Sequence, residues 1–182
     1  MKIAITDACC VINLHATGKL LSLLKTLGGE FYISAKVADE TYYSLKWDEE
    51  FGENLVREAI DLAPAIEAGL LKRCEVSDGE ETSLFILIAA SVDDREATCL
   101  AIAKVRGWIV ATDDRKAIRL AGELGVETIS TPTLMKRWAE ASGASDAEVA
   151  NVLRSIQIFS HFVPRRTDPL YSWWIKRVGV GE

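Results

Sequence analysis

Hydrophobic positions along the chain follow two rhythms. Short apolar runs rich in β-branched and aromatic residues predict strands at residues 2–6 (KIAIT), 30–34 (EFYIS), 72–76, 108–111 (WIVA) and 126–129. Between them lie longer segments with apolar residues three and four apart. The first predicts a helix over residues 14–27, with Leu14, Leu20, Leu21, Leu24 and Leu27 on one face and Gly28-Gly29 as its stop. Ser34 is placed to cap a helix over residues 35–44. Residues 47–62 begin acidic and continue with a helical pattern that Pro64 breaks, and a short helix over 65–70 follows. Further helices are predicted over residues 80–91, 95–105 (capped by Asp93-Asp94 and ended at Arg106-Gly107), 115–124 (stopped by Gly125), 131–141 and 146–158.

Strands that alternate with helices of about ten residues or more build βαβ units. The predicted class is therefore α/β, a three-layer α/β/α arrangement with a central parallel sheet. The segment Gly143-Ala144-Ser145 reads as a joint between a main domain, residues 1–142, and a C-terminal helical extension, residues 143–182. The extension ends in a basic, aromatic tail with Arg165, Arg166, Tyr171, Trp173, Trp174, Lys176 and Arg177.

Composition narrows this picture. The 182 residues are 49% hydrophobic and 26% charged, which fits a folded globular chain and not a disordered or collagen-like one. No apolar run approaches the roughly 18 residues a membrane span needs, and the residues after Met1-Lys2 lack the apolar stretch of a signal peptide. Cys9, Cys10, Cys74 and Cys99 form no C-x-x-C pair. A disulfide scaffold or structural zinc site is not expected, and a reducing cytoplasm is the expected compartment. The net charge of −6 is uneven: residues 1–91 carry 8 basic against 15 acidic residues. That balance argues against a general DNA-coating protein, yet it suits an enzyme with an acidic pocket and a local basic rim.

The acids carry the chemical information. In an open parallel sheet, ligands bind beyond the carboxyl ends of the strands. Asp7 and the Asp113-Asp114 pair each follow an apolar strand; Glu40 falls about one turn into the helix predicted after another; Asp94 and Glu96 open the helix before the WIVA strand. Singly, each fits an ordinary role: Asp7, Asp94, Asp113 and Asp114 as helix caps or first-turn acids, Glu40 as a solvated helix residue. Together at one sheet edge they would repel one another unless a divalent cation joined them, and oxygen ligands favour Mg²⁺ or Mn²⁺.

This ordered set resembles the PIN-domain family of metal-dependent ribonucleases over roughly residues 1–140. The segments concerned are IAITDACCVINL with Asp7, ISAKVADE with Glu40, DDREATCLAIA with Glu96, and WIVATDDRKAIRLAGELGV with Thr112 and Asp114. Two positions differ from the family pattern: Cys9 replaces a small polar residue and Arg95 a glycine. The resemblance implies an endoribonuclease in which Asp7, Glu96 and Asp114 hold one or two Mg²⁺ or Mn²⁺ ions and Glu40 ligates directly or through water. Thr112 would orient Asp114 or a water, and the metal would lower the pKa of a bound water and steady the charge growing on the phosphate. It also implies a two-fold dimer, an RNA substrate, and an antitoxin protein as partner if the chain is the toxin of a toxin–antitoxin pair similar to virulence-associated protein C.

An acidic pocket needs cations near it to admit RNA. Arg95, Arg115, Lys116 and Arg119 are the expected rim. The tail aromatics suit packing better than base stacking. His15 and His161 have no metal-ligand spacing, and Cys9-Cys10 reads as buried structural cysteine. Two other functions compete. A haloacid-dehalogenase-like phosphatase would need an acid where Cys9 stands. A non-catalytic PIN-like scaffold would bind protein or RNA without a metal.

Overall fold

For most of the chain, strands and helices alternate where the hydrophobic runs place them. The computed structural model describes residues 2–5, 7–40, 42–48, 52 and 54–179. The order is β1 (Lys2–Ile5), α1 (Ala8–Ala16), α2 (Leu20–Leu27), β2 (Glu30–Ser34), α3 (Ala35–Asp39), β3 (Tyr43–Trp47), β4 (Leu55–Ala59), α4 (Ala63–Glu67), β5 (Leu71–Cys74), α5 (Glu80–Ala89), α6 (Asp94–Arg106), β6 (Ile109–Ala111), α7 (Arg115–Leu124), β7 (Thr128–Ile129), α8 (Thr131–Ser142), α9 (Asp146–Phe159) and α10 (Tyr171–Gly179).

Three expectations need correction. The helix predicted over 14–27 is two helices, and the first begins at Ala8, directly after Asp7. Gly18 adopts φ +65° between them, a conformation glycine accepts without a Cβ clash. The Thr17 hydroxyl fixes the break by donating to the Leu14 carbonyl (2.6 Å) and accepting from the Lys19 N–H (3.1 Å). The helix predicted over 35–44 stops at Asp39, so Glu40 lies past its end with extended backbone, ψ 144°. The segment 47–62 is not helical in its described part. Instead β3 and β4 form an antiparallel pair with Ser44 opposite Glu58 and Trp47 opposite Leu55. In β4, Val56 and Glu58 are more buried than their neighbours, a period of two that five residues display too briefly to overrule helical propensity. Residues 49–51 and 53 of that prediction, and Thr6 of the first strand, lie outside the described residues.

The predicted parallel α/β sheet is present. Its five strands run in the order β5-β2-β1-β6-β7, every neighbouring pair parallel. From β1 the chain moves outward through β2 to β5, then returns to β6 on the other side of β1. The direction of winding therefore reverses between β1 and β6, and a crevice opens at such a point beyond the carboxyl ends of the two strands.

The chain divides into two compact units, Met1–Val11 with Gly28–Glu40 and Leu62–Ser130, and Ile12–Leu27 with Thr41–Asp61 and Thr131–Glu182. The first holds the parallel sheet. Its central helix is α6, where Ala97 through Ala103 are all buried and which packs on β1, β2 and β6. Each large side chain such as Leu100 or Ile102 adds about 1.5–3 kcal/mol by leaving water. Asp93 caps its start, and Gly107 ends it at φ +65°. Helix α5 packs along α6, and Trp108, stacked on Tyr32 with ring centres 4.1 Å apart, belongs to the same unit. In the second unit α2 packs on α8, α9 packs on β3, and α10 packs on α9. Trp174 is fully buried and meets Phe162 edge-on, so this tail aromatic packs as expected. His15 is structural too: its Nδ1 lies 3.0 Å from the Ser44 hydroxyl. Among the described residues no helix is long and apolar enough to cross a membrane.

Candidate active site

Strand register brings the first acids together. Ile5 of β1 lies opposite Ala111 of β6. Continuing that register by two residues sets Asp7 beside the Thr112-Asp113-Asp114 segment, at the point where the winding reverses. The Asp7 carboxylate is bound at both oxygens. Oδ1 accepts the Cys10 N–H of the first turn of α1 (2.6 Å), and Oδ2 accepts the Thr112 hydroxyl (2.9 Å). The Asp113 backbone N–H contributes as well. Burial nevertheless outweighs these bonds and raises the Asp7 pKa, with the nearby charge of Asp114 adding to the rise.

Thr112 is fully buried and works in two directions. Besides donating to Asp7, its oxygen accepts the Asp114 N–H (3.1 Å). It thus fixes the Asp7 carboxylate and the Asp114 backbone, whereas the sequence suggested that it would orient the Asp114 carboxylate or a water. Asp114 is the N-cap of α7, its Oδ1 accepting from the Lys116 and Ala117 N–H groups at 2.7 and 2.9 Å. Asp113 takes a different partner, the Cys10 thiol, which donates to its Oδ2 over 3.7 Å.

The N-terminus of α6 supplies the third acid. Asp93 caps the helix, its Oδ1 accepting the Arg95 and Glu96 N–H groups, both at 2.9 Å. Glu96 is half-buried in the first turn. Burial raises its pKa first, followed by the charges of Asp93, Asp114 and Asp7. No cationic side chain is paired with it among the described residues. Asp94, by contrast, is exposed and pairs with Lys36 at 2.7 Å. Between the two acids left open by the sequence, Glu96 is the one that shares a field with Asp7 and Asp114.

Glu40 does not join this group. Its carboxylate lies 2.8 Å from the Arg95 guanidinium, which also reaches Asp93 Oδ2 at 2.8 Å. Arg95, expected on the substrate rim, is therefore occupied by two acids. Arg115 and Lys116 are exposed in the first turn of α7. Arg119 is exposed on the same helix, 3.7 Å from Glu123. Cys9 is exposed, against the expectation of a buried pair, while Cys10 is buried and no disulfide joins any of the four cysteines. Cys74 and Cys99 are buried thiols whose pKa values burial raises to about 11 and 12, far from thiolate chemistry.

Sequence reasoning missed the Cys10 N–H, the bridging geometry of Thr112 and the Arg95–Glu40 pair. Only the first had a local signal, an Asp directly before a helix with its third following N–H as partner. The donor set suits a hard divalent cation, because it is made of carboxylate oxygens, two of them desolvated and all three repelling one another. In the present arrangement no three His, Cys, Asp or Glu side chains among the described residues stand close enough together to hold a metal ion.

Comparison with known families agrees with this geometry. A family model described as PIN domain matches residues 3–167. No curated protein and no solved structure matches the chain. A nuclease-type fold whose acids gather at the β1/β6 reversal, matched over nearly its whole length, places this chain in the PIN-domain family.

Proposed function

We propose that the protein is a metal-dependent endoribonuclease that hydrolyses RNA phosphodiester bonds at the crevice between β1 and β6. The single observation that supports this reading is the mutual repulsion of Asp7, Glu96 and Asp114. Two of them are desolvated, and none is paired with a cationic side chain among the described residues. Uncompensated negative charge of this kind lowers stability unless a cation enters.

Asp7, Glu96 and Asp114 would hold Mg²⁺ or Mn²⁺, which supplies Lewis-acid stabilisation of the charge that grows on the phosphate. The chain's own residues do the rest. Thr112 and the Cys10 N–H fix the Asp7 carboxylate in one rotamer, and the α7 N–H groups fix Asp114. Arg115 and Lys116 at the start of α7 offer positive charge to a phosphate backbone entering an acidic crevice. The expected homodimer and antitoxin partner belong to the same proposal.

The test is direct. Purified protein with a mixed-sequence RNA should cleave it in Mg²⁺ or Mn²⁺ and not in EDTA. Asp7→Asn, Glu96→Gln and Asp114→Asn should each lower the rate by a factor of about 10² or more, as loss of transition-state charge stabilisation does. Cleavage that survives all three unchanged rejects the assignment. Light scattering should give twice the 20.0 kDa chain mass. A second reading, a scaffold that binds without catalysis, is favoured by one observation: the acids do not close around an ion as they stand. Calorimetry separates the two, because a scaffold takes up no Mn²⁺.

A further inference from the structure

Two ion pairs tie the end of α3 to the first turn of α6. Lys36 reaches Asp94 at 2.7 Å, and Glu40, four residues after Lys36, reaches Arg95 at 2.8 Å. The signs are crossed: cation and anion on the α3 side meet anion and cation on the α6 side. Arg95 has a second anchor in Asp93, whose other oxygen already caps α6. Its guanidinium is therefore held in one place by a group that is itself fixed to the helix. Successive residues on a helix point about 100° apart, so Arg95 faces Glu40 while its neighbour Glu96 faces Asp7 and Asp114.

We propose that Arg95 acts as a retaining cation that keeps Glu40 out of the divalent-metal site. Resting on the metal-site reading above, this makes Arg95 a positioning residue that acts through Glu40. Glu40 sits past the end of α3 on extended backbone, so its side chain is not locked by a helix and can turn wherever the nearest positive charge stands. As built, that charge is Arg95. Remove it and the nearest cation becomes the metal held by Asp7, Glu96 and Asp114. The wild-type site therefore works with three acids, and a fourth is available but withheld.

Mn²⁺ calorimetry on four proteins tests this: wild type, Glu40→Gln, Arg95→Ala and the double variant, with Arg95→Lys as a charge-preserving control. Glu40→Gln should bind Mn²⁺ within about twofold of wild type, because the wild-type Glu40 is committed elsewhere. Arg95→Ala should bind about tenfold more tightly. The double variant should fall back to the wild-type affinity, and Arg95→Lys should stay near it. A non-additive cycle of this form cannot come from long-range charge alone, which would make Glu40→Gln equally costly in both backgrounds. Equal costs, or an unchanged affinity in Arg95→Ala, overturn the inference and leave the metal site standing. Absence of Mn²⁺ binding in wild type and Arg95→Ala alike overturns both. Circular dichroism of Arg95→Ala checks that α6 remains folded, and Arg95→Lys keeps the comparison informative if it does not.

Discussion

One hydroxyl, that of Thr112, holds two of the three acids of the site. It is buried, donates to Asp7 and accepts from the Asp114 backbone. Thr112→Val keeps the shape and removes both bonds. It should cost about 1.5–3 kcal/mol in urea unfolding, the range for a hydrogen bond to a charged group, whereas Thr112→Ser should stay within about 1 kcal/mol of wild type. If the valine variant is as stable as wild type, the hydroxyl does not have this role. A second residue-scale contact lies outside the site. Glu81 is 3% exposed and takes a two-pronged bond from Arg106 (2.6 and 2.8 Å) plus the Ser77 N–H (2.8 Å), which together hold its pKa at about 2, below the usual 4.5. A depressed carboxylate pKa stabilises the fold at pH above the unfolded value, and that stability drains away as pH falls toward the folded one. Unfolding followed from pH 6 to pH 2 should therefore show a loss below about pH 4.5 that Glu81→Gln lacks. The substitution itself should cost about 2 kcal/mol at neutral pH. A wild-type curve with the same acid slope as the variant would contradict this.

Helix starts are the elements that place the site. Helices α1, α6 and α7 each begin beside one of its acids, with Asp7 meeting the first turn of α1, Asp93 capping α6 and Asp114 capping α7. Asp114 has two duties, and two substitutions separate them. Asparagine caps a helix about as well as aspartate, so Asp114→Asn should leave thermal stability nearly unchanged while abolishing cleavage. Asp114→Ala should lose cleavage and also about 1 kcal/mol of stability. Equal melting temperatures for the two would show that the cap adds nothing. At this scale much was legible from the sequence: the caps at Ser34, Asp93 and Asp114 and the glycine stops at Gly107 and Gly125 carry local side-chain and backbone signals. The hairpin of β3 and β4 was not legible, because strand pairing depends on a partner about ten residues away in the chain, and Lys46 and Glu58 on the two strands find each other only after pairing.

Across the whole molecule, the acids set a linkage between metal and stability. The raised pKa values of Asp7 and Glu96 mean that their charged forms oppose folding of the metal-free protein at neutral pH. Glu96→Gln should therefore raise the metal-free melting temperature. Mn²⁺ at about a hundred times its dissociation constant should stabilise wild type by about 2.7 kcal/mol and leave Glu96→Gln unmoved. A scanning calorimeter reads both effects, and a variant that melts below wild type without metal would refute the repulsion. The parallel α/β class and the order of acids along the chain followed from the sequence alone, since hydrophobic period and capping are set by neighbours a few residues apart. Which acids meet was decided by tertiary structure. Sheet winding sets β1 beside β6, so residues 105 positions apart share a hydroxyl, while a single guanidinium draws Glu40 aside from the group its place in the chain suggested. Charge pairing acts through space and reaches only a few ångströms, so its outcome is fixed by where the backbone brings each side chain, which the spacing of residues along the chain does not encode.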